Sequence, residues 1–413
     1  MSNEEDLRPL CIDTGSYRVR TGFAGEASPR SQFPAIIGDR EPTHFIDKNG
    51  NVLEKGKSKR GVLTLKYPIE HGVVTNWKGV EKMWNHAFFN ELRITPESLQ
   101  NRCVMLTDAP KIPKKNREKM TEIMFETFNV AGLFVLSAPL AALYAAARTT
   151  GIVVDIGYNA AHTVPIFEGK VLPHAVLRLD VAGLELTTYM LTLLNKKGYS
   201  FHKERANDME IVRDIKEKTG YVALDYEWEL EKAASSSDLE KNYQIGSTHL
   251  KRKAAAAKAF KKKSSSSLTM GKIIAMKADP DKVIEVTVEK ERFQCVEALF
   301  QPSLVGNSQD GIGELVFNSI MKCDVDIRQA LYNNIVLCGG SSLFSGIAER
   351  FQKEVKNLAP ESMTIKVIAP PNRDIIAWKG AAIMAGLSTF DAMWITRDEY
   401  AASGVNIVHR KCT

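Results

Sequence analysis

The feature that most constrains this chain is a strand–Asp–x–Gly–strand unit that occurs twice. "LCIDTGSYRVRTGFAGE" and "VVDIGYNAAHTVPIFEGK" each run from an apolar strand into an acid, turn at a glycine and leave along a second strand. The two acids, Asp13 and Asp155, lie 142 residues apart. An acid at a strand end beside a glycine turn puts a carboxylate next to backbone N–H groups that phosphate oxygens can approach closely. If one domain has been duplicated, each half offers a hairpin turn to a ligand in the cleft between them. Two unrelated Asp-x-Gly turns would read the same way at this level. The second unit also departs from a plain phosphate turn, because Ile156, Tyr158 and Asn159 stand where small or acidic residues are expected.

At 413 residues the chain exceeds one ordinary core, so two domains or one large bilobed molecule is expected. "NNIVLCGGSSLFSGIAERFQKEVKNLA" reads as a buried strand, a turn at Gly339 and Gly340, and an amphipathic helix carrying Ile347, Phe351 and Val355 on one face. Such a turn admits a flat ring or a phosphate at a helix N-terminus. "ANDMEIVRDIKEKTGYVAL" predicts a second helix, with Ile211 and Ile215 inward and Lys216 and Glu217 beside that face. "FIDKNGNVLEKG" predicts a hairpin turning at Asn49-Gly50. Strands alternating with helices place the chain in the α/β class, with its ligand outside the strand ends.

The net charge of +6 is local. Lys251, Arg252, Lys253, Lys258, Lys261, Lys262 and Lys263 fall in one short stretch without an acid, and the rest of the chain is close to neutral. That argues against a nucleic-acid-binding body and for one basic appendage. Residues 246–282, rich in Ala, Ser and Lys, predict a long surface loop with a helical option across Lys253 to Lys262. The loop separates "LEKNYQI" from "VIEVTV" and so decorates a hairpin tip. The six cysteines are scattered without metal-site spacing, which reads as reduced thiols of cytoplasm or nucleus. The opening "MSNEEDLRPL" shows no secretory pattern, and no apolar run is long enough for a membrane-spanning helix.

Together these pieces resemble the actin family. "SKRGVLTLKYPIEHGVVTNW", "NREKMTEIMFETFNV", "EIVRDIKEKTGYVALD", "FNSIMKCDVDIRQALYNN", "IKVIAPPNR" and "IVHRKC" are close to that family's own wording, and the likeness runs nearly the whole chain. It breaks mainly near residues 40 to 57 and at the basic insertion. The resemblance implies a bilobed actin fold, a duplicated ATPase domain of the actin, Hsp70 and hexokinase type with four subdomains. Residues 1–145 with 370–413 would form the first lobe, with 35–70 as its small outer subdomain. Residues 146–369 would form the second, with 182–306 as its outer subdomain. The ligand implied is ATP or ADP with Mg²⁺ (or Ca²⁺).

Carried over by position, Asp13 and Asp155 match the acids that hold the hydrated metal. Gly15 and Ser16 fall on the first phosphate turn and Gly157 on the second. Arg20 replaces a lysine that reaches the phosphates, keeping charge and changing geometry. Lys216 and Glu217 match residues beside ribose and adenine, and Gly339 with Gly340 the adenine-side turn. His162 matches the histidine near the attacking water. Other positions depart. Ala138, followed by Pro139, replaces the water-positioning glutamine, and a methyl group cannot orient a nucleophilic water. Loss of such a group typically removes about 10²–10⁴ in rate. Tyr17 replaces a turn glycine, while Tyr158 and Asn159 replace an acid and a glycine. Asn tolerates a left-handed backbone; Tyr17 is expected to strain its turn.

The resemblance also implies a contact between subunits, a loop of one inserting into an apolar cleft of the next. The loop here, "EPTHFIDKNGNVLEKGK", is short and presents Asp47, Lys48, Asn49 and Asn51. The receiving cleft keeps Tyr144, Ile383, Met384, Leu387, Thr389 and Met393, but Lys170 and Lys379 replace a tyrosine and an isoleucine. An unpaired ammonium buried there costs several kcal/mol. The expectation is an ATP-binding structural protein of the cytoskeleton with slow or absent hydrolysis and impaired or altered self-assembly. Its partners would be other actin subunits, actin-binding proteins, or axonemal or motor complexes. Two alternatives stand beside it: a conventional polymerising actin, and a nuclear actin-like subunit directed by the basic insertion.

Overall fold

A computed structural model describes residues 7–39, 45–46, 52–53, 64–70, 72–245 and 284–412. The insertion at 246–282, its helical option and the loop tip with Asp47, Lys48, Asn49 and Asn51 lie outside the described residues. The chain divides into two compact units: Met1–Gly183 with Ile312–Leu343 and Phe351–Thr413, and Leu184–Gly311 with Phe344–Arg350.

The first unit contains two mixed sheets built on one plan. In the first sheet, strand Leu10–Thr14 pairs antiparallel with its hairpin mate Arg18–Phe23 and parallel with Cys103–Asp108. Strand Gly132–Ser137 continues in parallel, and Ser31–Pro34 and Ile395–Thr396 close the two edges. In the second sheet, Gly151–Ile156 pairs antiparallel with Ala161–Phe167 and parallel with Ile335–Cys338, and Val367–Ile368 follows in parallel. The order repeats: hairpin mate, Asp-bearing strand, parallel strand, parallel strand. Asp13 and Asp155 occupy corresponding places near the ends of the two central strands. The repeat of topology supports duplication over coincidence of two turns, and the mixed sheets flanked by helices agree with the α/β class expected.

The central strands are buried on both faces, as near-continuous apolar runs such as "LCI" and "GIVV" require. Two tryptophans tie the first hairpin to its surroundings. The Trp378 indole donates to the Cys11 carbonyl at 3.0 Å, and the Trp84 indole to Thr14 Oγ1 at 3.1 Å. Helices Ala138–Ala145 and Ile376–Ala385 cross at Gly380, where a Cβ would lie 1.8 Å from the Ala141 carbonyl oxygen. Only glycine permits that approach.

The second unit holds helices Ala206–Thr219, Tyr226–Ser235 and Glu291–Glu297 and an antiparallel pair, Lys241–Ile245 with Ile284–Val288. Ile211 and Ile215 are buried, as their spacing predicts. Because Ile245 pairs with Ile284, the insertion springs from the end of a hairpin, as its flanks predict. The Phe45–Ile46 and Val52–Leu53 strands pair antiparallel, as a hairpin in "FIDKNGNVLEKG" requires, while its expected turn at Asn49-Gly50 lies outside the described residues. Buried strand Ile335–Cys338, the turn at Gly339 and the helix Ile347–Leu358 with Ile347, Phe351 and Val355 buried follow as expected; a short 3₁₀ turn, Gly340–Ser342, intervenes, so the glycines do not lie at that helix's N-terminus.

Candidate functional site

The first turn is closed by Gly15 N–H donating to the Arg18 carbonyl at 3.0 Å, the second by Gly157 N–H donating to the Ala160 carbonyl at 3.1 Å. Ser16 lies half-buried within the first turn. Tyr17, Tyr158 and Asn159 all keep negative φ, so neither turn uses a left-handed residue. The strain expected at Tyr17 is therefore absent, and Asn159 needs no special conformation. Asn159 is buried instead, its amide donating to the Ile69 carbonyl at 3.5 Å.

Register places Arg20 opposite Asp13. Arg20 Nη1 donates to Asp13 Oδ2 at 2.9 Å, and Thr107 Oγ1 donates to Asp13 Oδ1 at 2.6 Å. Asp155 faces Cys338 on one side and His162 on the other. Desolvation by the surrounding protein, although the residue keeps some accessible surface, pushes the Asp155 carboxyl up to about 6. The Asp13 charge pushes the same way; the Cys338 thiol hydrogen bond and the Arg20 charge oppose it. Burial, with Arg178 and Lys111 nearby, lowers His162 to about 4 despite Asp180, so its imidazole is neutral at physiological pH. A neutral imidazole can accept a proton or orient a water.

Gly339 has φ +89, and a Cβ there would stand 2.4 Å from the Ile156 carbonyl oxygen and 2.7 Å from Asp155 Oδ1. It is a glycine because the second hairpin passes against it. Gly340 is different: it is exposed and a Cβ would meet nothing within 4 Å. Ala138 is the first residue of helix Ala138–Ala145, directly after strand Gly132–Ser137, and that helix start has no side-chain cap.

The residues present fit a metal–nucleotide. Two interacting acids invite a cation between them. Arg20 Nε is buried without an acceptor among the described residues, a donor left over for an anionic oxygen. No three His, Cys, Asp or Glu side chains gather into a ligand cluster among the described residues; two carboxylates alone would suit an ion that keeps most of its water. Sequence reasoning missed Thr107, Cys338 and Tyr67. The first two reach the acids through parallel strand pairing, which leaves no local sequence signal; Tyr67 meets Tyr158 with ring centroids 6.0 Å apart.

Lys216 and Glu217 sit in the second unit on helix Ala206–Thr219. Lys216 is buried, and desolvation lowers it to about 8. Glu217 is exposed and accepts from Arg213 Nη1 at 2.8 Å. The cleft residues belong to the first unit. Helix Ile376–Ala385 carries Lys379, Ile383 and Met384, and Ile383, Leu387 and Met393 are exposed apolar side chains. The Tyr144 hydroxyl packs on Gly169, next to Lys170. Lys170 is exposed and Lys379 half-buried in the free chain.

A family model described as actin matches residues 4–413. Members of that family generally bind an adenine nucleotide with a divalent cation, and typically bind other actins or actin-binding proteins. No helix among the described residues is long and apolar enough to cross a membrane. With a match over nearly the whole chain and two sheets repeating one strand plan, this chain belongs to the actin family.

Proposed function

We propose that this chain is a cytoskeletal structural protein that holds ATP or ADP with Mg²⁺ (or Ca²⁺) as a shape-setting ligand, hydrolyses it slowly or not at all, and self-assembles poorly. On this reading the lobes are 1–145 with 370–413, and 146–369. Asp13 and Asp155 hold the hydrated metal, and Gly15, Ser16, Gly157 and Arg20 face the phosphates. Lys216, Glu217, Gly339 and Gly340 serve the nucleoside. The metal, when bound, neutralises phosphate charge. His162, neutral, remains able to take a proton.

The observation that carries the reading is Ala138 at the start of its helix. The binding chemistry around Asp13 and Asp155 persists, while the side chain that would orient a water has shrunk to a methyl. Single-turnover phosphate release tests it. The wild type should release phosphate at a rate near that of the free nucleotide, and Ala138→Gln should raise it by about tenfold or more. Brisk release by the wild type would overturn slow hydrolysis. The partners that fit are actin subunits or a larger cytoskeletal, axonemal or motor assembly, engaged through the Tyr144, Ile383, Leu387 and Met393 surface.

A further inference from the structure

We propose that Tyr17 and Tyr158 set the length of phosphate chain the site accepts, so that it takes a nucleoside diphosphate in preference to a triphosphate. The inference rests on the nucleotide reading above. Each ring rises from one of the two turns, Tyr17 from the turn closed by Gly15 and Tyr158 from the turn closed by Gly157. Their centroids lie 4.8 Å apart at an interplanar angle of 32°. Rings at that separation are in contact, and a phosphoryl group cannot lie between them. Tyr67 extends the column, its centroid 6.0 Å from that of Tyr158, and the Arg18 guanidinium stands 5.6 Å from the Tyr17 ring. The rings are thus braced at both ends.

The second turn has another side. The Gly157 carbonyl accepts from Ser341 Oγ at 2.8 Å and from Gly183 N–H at 3.2 Å, which ties it to the segment that carries Gly340. Gly340 is open to a flat ring. A nucleotide with its base at Gly340 runs its phosphates past Gly157, and its terminal phosphate meets the tyrosines. The face of an aromatic ring is negative and offers an anion no hydrogen bond. A diphosphate ends short of the rings; a triphosphate must part them.

Calorimetric titration of the full chain, stripped of nucleotide, with Mg–ADP and Mg–ATP tests this. The wild type should hold ADP roughly tenfold or more tighter than ATP, a difference of about 1.4 kcal/mol. Tyr17→Gly with Tyr158→Gly should bring the two affinities together, while Tyr17→Phe with Tyr158→Phe, which keeps both rings, should preserve the preference. Equal affinities, or tighter ATP, in the wild type overturn the proposal whatever the variants do, and leave nucleotide binding intact. Binding of both nucleotides by the glycine variant alone also overturns it, since the rings would then close the whole site. No binding by any form overturns the nucleotide reading itself.

Discussion

Arg20 donates through Nη1 to Oδ2 of Asp13 at 2.9 Å, so the cation expected at the phosphates is paired with an acid expected at the metal. Thr107 holds the other carboxylate oxygen at 2.6 Å, and both Asp13 oxygens have partners within the protein. The Asp13 charge is therefore balanced in part before any divalent ion arrives.

Arg20→Ala removes that balance and the spare Nε donor together. A hydrogen bond to a charged group contributes about 1.5–3 kcal/mol, so calorimetric affinity for Mg–ADP should fall by about tenfold to a hundredfold. Arg20→Lys should lose less, because charge survives and only the planar fork is gone. Chelating the metal should weaken nucleotide binding more in Arg20→Ala than in the wild type, since the two acids then repel each other unopposed.

Lys216 gives a pH signature in the second unit. Buried and lowered to about 8 in the folded chain, it returns to about 10.5 when unfolded. Between those values the unfolded chain binds more protons than the folded one, so stability rises with pH across the window. Below pH 8 the ammonium is held charged at a net cost of about 3 kcal/mol, set mainly by burial and, to a lesser degree, Arg213, and already offset in part by neighbouring Glu217 and Glu185. Urea midpoints of nucleotide-free protein between pH 7.5 and 9.5 should climb in the wild type and stay flatter in Lys216→Met.

What was legible in the sequence is what local order encodes. The acid and glycine of each hairpin, the inward Ile211 and Ile215, and the flanks of the insertion all announce themselves through spacing. Gly339 was legible as special but for another reason: the Ile156 carbonyl crowds it, and that neighbour comes from a strand far back in the chain. Tyr17 and Tyr158 both stood out as unusual residues in their turns, and the strain expected at Tyr17 is not borne out by its backbone. Their ring contact is tertiary and depends on the two hairpins facing each other, which periodicity does not report. Thr107 and Cys338 were hidden for the same reason.

The second unit is pinned by a buried pair. Arg350 donates through Nη2 to Glu297 Oε1 at 2.7 Å and through Nη1 to Oε2 at 3.1 Å, and also to the Ala223 carbonyl at 2.7 Å. Glu297→Ala leaves a buried guanidinium without its carboxylate and should cost about 3–5 kcal/mol in urea denaturation. Glu297→Leu with Arg350→Met should recover much of that loss, because an apolar replacement of both partners removes the desolvation penalty as well.

Lys170 and Lys379 bear on assembly. Exposed and half-buried in the free chain, both would be drawn into an apolar contact on docking, and the lost hydration opposes it. Lys170→Tyr with Lys379→Ile should lower the concentration at which the protein pellets with Mg–ATP and salt by roughly tenfold. Ordinary filaments from the wild type at micromolar concentration would sink the idea of poor self-assembly.

Gly339 and Gly340, adjacent in sequence, should separate fold from ligand. At Gly339 the backbone is left-handed and a methyl would collide with the Ile156 carbonyl and Asp155 Oδ1, so Gly339→Ala should cost about 3 kcal/mol of stability and displace the acid. At Gly340 a methyl meets nothing, so Gly340→Ala should leave the urea midpoint within about 0.5 kcal/mol of wild type. If a base lies on Gly340, the same methyl lifts it off the backbone, and affinity for ADP should drop by roughly tenfold. Unchanged affinity in a stably folded Gly340→Ala would place the base elsewhere and remove the route by which the phosphates reach the tyrosines.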